Sequence, residues 1–311
     1  MNRKLTKSRA WLLALPLILG QAAAADHFWT SPDAYLGEAR PDETPRPFAP
    51  GRLADPGTNT MGRSAFSRDG QEFYFTQNDS WESGKNARLR MMRFAEGKWG
   101  KPVTVAAEAM SPTLSMDEKQ LFMRRGGMGQ LWVSNRDGHG WTNATLMLER
   151  RQGVYDFMPT LSGRNYAGTE PDDSDKARGS TYVISLLMLE SPEPRALSLG
   201  APLNSAGFNG DFFIAPDESY MVLSAKVTPT FESEAHIAFR KPDGSWTKPV
   251  SLGARINDRP AHRWGYYVPA SGDYLFYSLG THAQDCALQW VRFRETRERL
   301  QREAMGATPG R

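Results

Sequence analysis

The sequence predicts an all-β fold, a β-propeller of five blades, or six if the N-terminal arm builds one of its own. Three observations predict it. One hairpin pattern recurs five times: 65–77 reads AFSRDGQEFYFTQ, 112–124 PTLSMDEKQLFMR, 159–170 PTLSGRNYAGTE, 207–225 GFNGDFFIAPDESYMVLSA and 267–279 YVPASGDYLFYSL. In each copy apolar residues lead into a tight polar turn and a second apolar run leaves it, the pattern of a β-hairpin. Aligned on Ser67, Ser115, Ser162, Ala215 and Pro269, the copies are spaced by roughly 47 to 54 residues, the length of a four-stranded blade. The composition agrees, because 11% aromatic residues with 28 Gly and 21 Pro among 311 favour short strands and turns over long helices.

Taken in order, residues 1–25 read as a cleaved export signal. Basic residues within 1–9 precede an apolar run at 10–20, and Ala22 to Ala25 offer a small-residue cleavage site before Asp26. The run is short for a membrane span, so no integral span is expected after cleavage and the location is periplasmic or secreted. The net charge of +3 owes four positive charges to Arg3, Lys4, Lys7 and Arg9; the remainder has 34 basic against 35 acidic residues, and nothing points to nucleic acid. The single cysteine, Cys286, excludes an intramolecular disulfide and a thiolate metal cluster, and its strand setting reads as buried and inert.

Residues 26–56, rich in Pro, Asp and Gly, read as an extended N-terminal arm in which 47–53 supplies one short strand. The propeller occupies 57–293. Its units share more than the hairpin: Trp-x-Lys-Pro-Val stands identically at Trp99 and Trp246, Trp141 occupies the same turn, and Leu199-Gly200-Ala201-Pro202-Leu203-Asn204 is echoed by Leu252-Gly253-Ala254-Arg255-Ile256-Asn257. The matching phase makes each echo an outer strand plus the crossover into the next blade. After the fifth hairpin, 287–293 forms a third strand and 294–311 switches to a charged helical pattern and tail, with Glu298 and Arg302 at i, i+4. No fourth strand follows. The ring therefore closes by borrowing the strand at 47–53, which also removes an exposed sheet edge.

The repeated pattern, carried best by Ser67, Asp69, Gly70, Phe73 and Phe75, resembles the TolB-type, WD40-like propeller repeat of exported bacterial proteins. The other copies depart from it: Asp117-Glu118, Gly163, Asp217-Glu218 and Gly272-Asp273 stand where Asp-Gly is usual. The resemblance spans nearly all of the chain beyond 1–25. It implies an extracytoplasmic propeller from a family made mostly of binding or scaffolding modules without a shared catalytic set, and such a fold does not choose a function.

Candidate site residues follow from propeller geometry, in which the strand before each turn is innermost and faces the channel. That selects Arg63, Ser111, Asp156, Met158, Asp211, Arg263 and Gly265, with Trp264 and Tyr266 alongside. Arg63, Asp156, Asp211, Arg263, Trp264 and Tyr266 form the candidate ligand-binding set, because carboxylates and guanidiniums around one mouth either bind a polar ligand or pair with one another. Opposed carboxylates at Asp156 and Asp211, with Glu170 and Asp217 as weaker additions, would suit glycoside cleavage if separated correctly. The acidic loop at Asp172, Asp173 and Asp175 lacks the Gly and closing Glu of a calcium loop, and His27, His139, His236, His262 and His282 have no metal-ligand spacing. No phosphate-cradling, dinucleotide or nucleophile-elbow motif appears; Gly126-Gly127-Met128-Gly129 lies between strands. No cofactor or metal is expected. Trp99, Trp141 and Trp246, at one place in the repeat, read as packing between blades ahead of sugar stacking.

The leading expectation is an exported, non-catalytic scaffold with a protein or peptide partner, engaged through one ring face and the loops 78–87 and 171–179. The alternative is a carbohydrate-binding protein or glycoside hydrolase that uses the funnel carboxylates. The separation and pairing of Asp156 and Asp211 discriminate between them.

Overall fold

The structure, a computed structural model, describes residues 27–306 apart from 82–84, 127–128, 151–152, 178–181, 191–193, 206–207, 227–231 and 283; residues 1–25, where an export signal is expected, lie outside them. Five antiparallel sheets form a five-bladed propeller, one blade per hairpin copy. The first strand, β1 (Arg46–Pro47), belongs to the last blade. Blade one holds β2 (Asn59–Phe66), β3 (Glu72–Asn78) and β4 (Arg88–Ala95), with β5 (Lys98–Trp99) and β6 (Val103–Ala107) both pairing β4. Blade two repeats this with β7 (Ala109–Leu114), β8 (Gln120–Arg125), β9 (Gln130–Asp137), β10 (Gly140–Trp141) and β11 (Thr145–Glu149). Blade three is β12 (Tyr155–Pro159), β13 (Asn165–Thr169), β14 (Val183–Met188) and β15 (Arg195–Ser198); blade four is β16 (Phe208–Ile214), β17 (Tyr220–Lys226), β18 (Ser233–Phe239) and β19 (Val250–Ser251). Blade five has β20 (His262–Tyr267), β21 (Tyr274–His282) and β22 (Asp285–Arg292), and takes β1 as its outer strand.

The borrowed strand closes the ring. Arg46 stands opposite Trp290 and Pro47 opposite Gln289, and the Phe48 N–H donates to the Leu288 carbonyl at 2.8 Å. The strand is shorter than 47–53 and starts one residue earlier, because Pro50 has no N–H to continue the ladder and Ala49 already turns to φ 46°. The arm does more than pair. Trp29, Tyr35 and Phe48 are buried among Phe66, Phe73, Tyr274, Phe276 and Trp290, with Phe48 5.0 Å from both the Phe276 and Trp290 rings. This aromatic wedge fills the seam between blades five and one, where the outer strand of blade five is supplied by the N-terminal arm and not by the chain that builds the rest of that blade.

The sequence echoes have structural causes. In blade one, Asp69 accepts from Ser67 Oγ at 2.6 Å and from the Gln71 N–H, while Ser67 Oγ accepts from the Glu72 N–H; Ser115, Asp117, Lys119 and Gln120 repeat the same three bonds. The next position is left-handed in all five turns: Gly70 at φ 76°, Glu118 at 57°, Gly163 at 81°, Glu218 at 60° and Gly272 at 71°. Glutamate is strained there, and both glutamates reach back to the preceding blade. Glu118 accepts the Arg68 N–H at 2.5 Å, and Glu218 accepts from Thr160 at 2.8 Å and pairs with Arg164 and Arg240 at 3.0 and 2.8 Å. The two glutamate copies thus replace a glycine's freedom with a bolt between blades.

The Leu-Gly-Ala echo ends in a side chain that imitates a strand. Asn204 Oδ1 accepts the Ile184 N–H and its Nδ2 donates to the Ile184 carbonyl, both at 2.8 Å; Asn257 does the same to Ala235 at 2.8 and 3.0 Å. Each asparagine satisfies the edge of a third strand where the short fourth strand has run out. Trp141 Nε1 donates to the Tyr74 hydroxyl of the preceding blade and Trp99 Nε1 to the Asp33 carbonyl of the arm. Besides a helical turn at 27–30 and a 3-10 turn at Tyr35–Gly37, the described residues include α1 (Asp173–Ala177) and α2 (Arg294–Ala304). Helix α2 docks through buried Leu300 onto the core of blades four and five. No helix among the described residues is long and apolar enough to cross a membrane.

Two outcomes are expected. Phe48→Ala should cost about 3–5 kcal/mol in urea unfolding; a loss under about 1 kcal/mol would show that the ring does not depend on its wedge. Burial alone would raise the Glu218 pKa, but donors from Ser162, Thr160, Tyr166 and Arg164 together hold it below the usual range. A depressed carboxylate stabilises the fold above its unfolded pKa and loses that contribution as pH falls through its folded one. Glu218→Gln should therefore cost about 2–3 kcal/mol at pH 7, and its gap to the parent should shrink as the pH is lowered below that of the free side chain, measured by paired melts across acid pH.

Candidate functional site

Five innermost strands converge on one axis, and all five shift register midway: between Met61 and Ala65, Met110 and Thr113, Tyr155 and Met158, Phe208 and Phe212, and Trp264 and Tyr267. Such bulges re-aim side chains. The shifted residue is left-handed at Gly62, Ser111, Asp156 and Gly265, with φ of 73°, 56°, 50° and 63°. At Gly265 the glycine is demanded by contact as well, since a Cβ would stand 2.4 Å from the carbonyl carbon of Gly62. Aspartate tolerates this conformation better than most residues, and at position 156 the kink sends its carboxyl toward blade four.

There Asp156 meets Arg63 and Asp211. Arg63, 1% exposed, crosses the axis from blade one and donates to Thr113 Oγ1 and the Phe157 carbonyl at 3.2 Å and to the Phe212 carbonyl at 2.7 Å. Its guanidinium pairs with Asp156 at 3.3 Å. One side chain thus ties blade one to blades two, three and four and closes the channel midway. Asp211 is held well above the usual carboxylate range by burial, by the charge of Asp156 and by a hydrogen bond shared with it, against the opposing pull of Arg63 and Arg124. Burial and the neighbouring carboxylate thus favour the protonated form of Asp211, while Asp156 faces the Arg63 guanidinium.

On one side of this plug lies a funnel of about 300 Å³. Aromatic groups face it from two sides. From blades five and one, Trp264 stacks on His262 at 4.4 Å and 14°, and Trp81 meets Trp264 edge-on at 5.2 Å; from blade three come Tyr155 and Tyr182, 5.6 Å apart and perpendicular. Asp156 and Asp211 form the floor, and Arg124 and Lys226 reach in from the second strands of blades two and four. On the other side of the plug is a bowl of about 410 Å³, mostly apolar, lined by Leu114, Met158, Phe213 and Val268 among others.

Of the residues that sequence reasoning placed at the channel, Arg63, Asp156, Asp211 and Trp264 are brought together, and Ser111 lines the funnel. Arg263 and Tyr266 are not. Arg263 turns outward, donating to the Ile256 and Ser233 carbonyls at 2.9 and 3.0 Å and pairing with Asp258 at 2.9 Å, while the Tyr266 hydroxyl donates to the Arg263 carbonyl and accepts from Ser224. The reason is the alternation of a strand: Trp264 takes the funnel side, so Arg263 points the other way, and the bulge at Gly265 resets the phase before Tyr266. Met158 lines the bowl, Asp217 sits on its rim, and Glu170 is exposed away from both.

Among the described residues no three His, Cys, Asp or Glu are grouped to hold a metal. In the acidic loop Asp173 pairs with Lys176 at 3.7 Å, and the Asp175 side chain lies outside the described residues, as do Gly127 and Met128. Cys286 is buried, its thiol pushed up to about 12 by burial, which leaves it inert. Trp81, Arg124, Tyr182 and Lys226 escape a reading confined to innermost strands, whereas Tyr155 and His262 lie on innermost strands but at their first residues, ahead of the positions just before each turn. The funnel widens, so the ends of second strands and the loops after them also reach it. A charged residue following the apolar run of a second strand, as in Leu121-Phe122-Met123-Arg124, is the sequence signal that marks such a position.

No family model matches the chain, and no curated protein matches it. Among solved structures it is similar to TolB from Acinetobacter baumannii (14% identity, 73% of this chain and 53% of that one, TM-score 0.40). It is also similar to hydrazine synthase of Kuenenia stuttgartiensis (16%, 69% and 60%, 0.40) and to oligogalacturonate lyase in complex with manganese (13%, 76% and 66%, 0.43). The chain thus spans under two thirds of the length of each. Similarity at this level assigns no activity.

The protonated form of Asp211 makes an asymmetric prediction. A carboxyl with a raised pKa stabilises the fold below its unfolded pKa and loses that contribution as pH rises through its folded one. Asp211→Asn, which mimics the protonated form, should melt close to the parent at pH 7 and above it at alkaline pH. Asp156→Asn leaves Arg63 buried without its counter-ion and should cost about 3–5 kcal/mol. Equal losses for both variants at pH 7 would overturn the assignment.

Proposed function

We propose that this chain is an exported, non-catalytic binding propeller of the bacterial cell envelope, built on TolB-type repeats, that holds a saccharide in its funnel. The observation that carries the reading is the funnel itself: aromatic faces on two sides of a polar floor made by a buried carboxyl pair. A pyranose ring presents an apolar C–H face suited to indole or phenol, and its edge hydroxyls suit carboxyl partners. Export rests on the basic, apolar and small-residue segments within 1–25, and the repeat family on the Ser67, Asp69, Gly70, Phe73 and Phe75 motif.

The carboxyl arrangement speaks against hydrolysis. Retaining and inverting glycosidases hold their two carboxyls roughly 5 Å apart or more, leaving room for the anomeric carbon or a water between them. Here Asp156 and Asp211 share a hydrogen bond, and Asp156 is already paired with Arg63. Neither is free to serve as a separate acid or base.

A second reading, a scaffold for a protein or peptide, is favoured by the bowl on the opposite face. Leu161 on its rim is 59% exposed, and an open apolar concavity of this kind suits a partner's apolar side chain. The loops expected to carry such recognition, 78–87 and 171–179, follow β3 and β13, whose ends lie on the funnel side; the first contributes Trp81 to the funnel.

A thermal-shift series with oligosaccharides separates the readings. A saccharide at a hundred times its Kd should stabilise the protein by about 2.7 kcal/mol, and Trp264→Ala should remove the shift. No shift with any saccharide, together with an apolar peptide that photo-crosslinks at position 161, would transfer the function to the bowl.

A further inference from the structure

The funnel contains more positive charge than its carboxyl pair can balance. Arg63 is matched by Asp156, and Asp211 holds a proton, so Arg124 and Lys226 stand as surplus cations at the wall. Arg124 is the more telling of the two. It is the penultimate residue of β8, and its guanidinium donates to Met110 Sδ and makes no ion pair among the described residues, although burial disfavours its charge and Asp156 and Asp211 only partly offset that. A guanidinium keeps its proton under such conditions. Its planar fork of N–H donors is suited to two parallel bonds with a carboxylate, and a thioether is a weak substitute for such an acceptor. Lys226 likewise makes no ion pair among the described residues and adds a second positive charge across the same space.

We infer that the funnel selects an acidic sugar, a pyranose whose ring lies against Trp264 and Trp81 and whose carboxylate is taken by Arg124 with Lys226 nearby. This rests on the saccharide reading of the funnel and adds the charge that the saccharide carries. The pieces divide the ligand between them. The indole faces take the ring without regard to charge, the Asp211 carboxyl takes a ring hydroxyl, and the guanidinium sets the preference for an acid over the neutral sugar of the same shape. A carboxylate entering this wall meets two cations and a protonated acid, whereas a neutral sugar leaves the guanidinium with no better acceptor than the thioether it already has.

The test is titration of the whole protein, followed by tryptophan fluorescence and calorimetry, with methyl glucuronate glycoside and methyl glucoside as matched probes. The acid should bind about tenfold more tightly or better, the increment expected of a charge-assisted fork. Arg124→Gln should bring the ratio of acid to neutral-sugar affinity down to about one, and Trp264→Ala should weaken both probes alike while keeping that ratio. Should Arg124→Gln fail to fold, judged by its melting curve, Lys226→Gln provides the second arm and should lower the preference by a smaller factor. Equal binding of the two sugars, or a preference that survives both Arg124→Gln and Lys226→Gln, overturns the inference and leaves the saccharide reading standing. Binding of neither sugar at tens of millimolar, a limit well above ordinary affinities, overturns both.

Discussion

Everything near the centre of this protein follows from crowding at the ring axis. The innermost strands of blades one and five approach so closely that Gly265 rests against the Gly62–Arg63 peptide, with no room for even a methyl group. Regular strands cannot converge in this way and keep all their side chains, so each of the five bends at a bulge, and the bend decides what faces inward. One long side chain, Arg63, then occupies the space that remains and spans three other blades through the Thr113 hydroxyl, the Phe157 and Phe212 carbonyls and Asp156. Funnel, plug and bowl are three consequences of one packing problem.

A guanidinium buried at that place requires a counter-charge, and the site supplies two carboxyls where one suffices. The surplus is absorbed by a proton, which burial and mutual repulsion hold on Asp211. The same low polarity that would make a separated acid and base powerful here makes a charged pair too costly, so the floor becomes a hydrogen-bonded, neutralised unit. That is a better surface for recognition than for proton transfer to a glycosidic oxygen.

The outer parts of the ring show a different economy of means. Closure depends on a two-residue strand, too short to hold by hydrogen bonds alone, and so an aromatic wedge from the arm secures the last seam. Seams between blades one and two and between three and four are held by glutamates, half-buried Glu72 paired with Arg93 and Arg136, and buried Glu218 with Arg164 and Arg240. Where a blade lacks a full fourth strand, Asn204 or Asn257 completes the edge with its side-chain amide.

The sequence by itself determined the position of five hairpins and a strand in the arm available for closure, because these depend on local signals: turn chemistry, alternation and the recurrence of both at blade length; that the arm closes the fifth blade and builds no sixth is a result of the tertiary structure. It also placed Arg63, Asp156, Asp211 and Trp264 near the channel, since strand order alone puts the innermost strand there. Only the tertiary structure decided that Arg263 and Tyr266 turn away, because a bulge of one residue inverts the face of all that follows and leaves no clear mark in a strand pattern beyond a glycine. Arg124, Lys226, Trp81 and Tyr182 come together from four blades and lie far apart in the chain. Their convergence is a product of ring radius and blade twist, quantities that arise when sheets pack against one another and that no single segment of sequence contains.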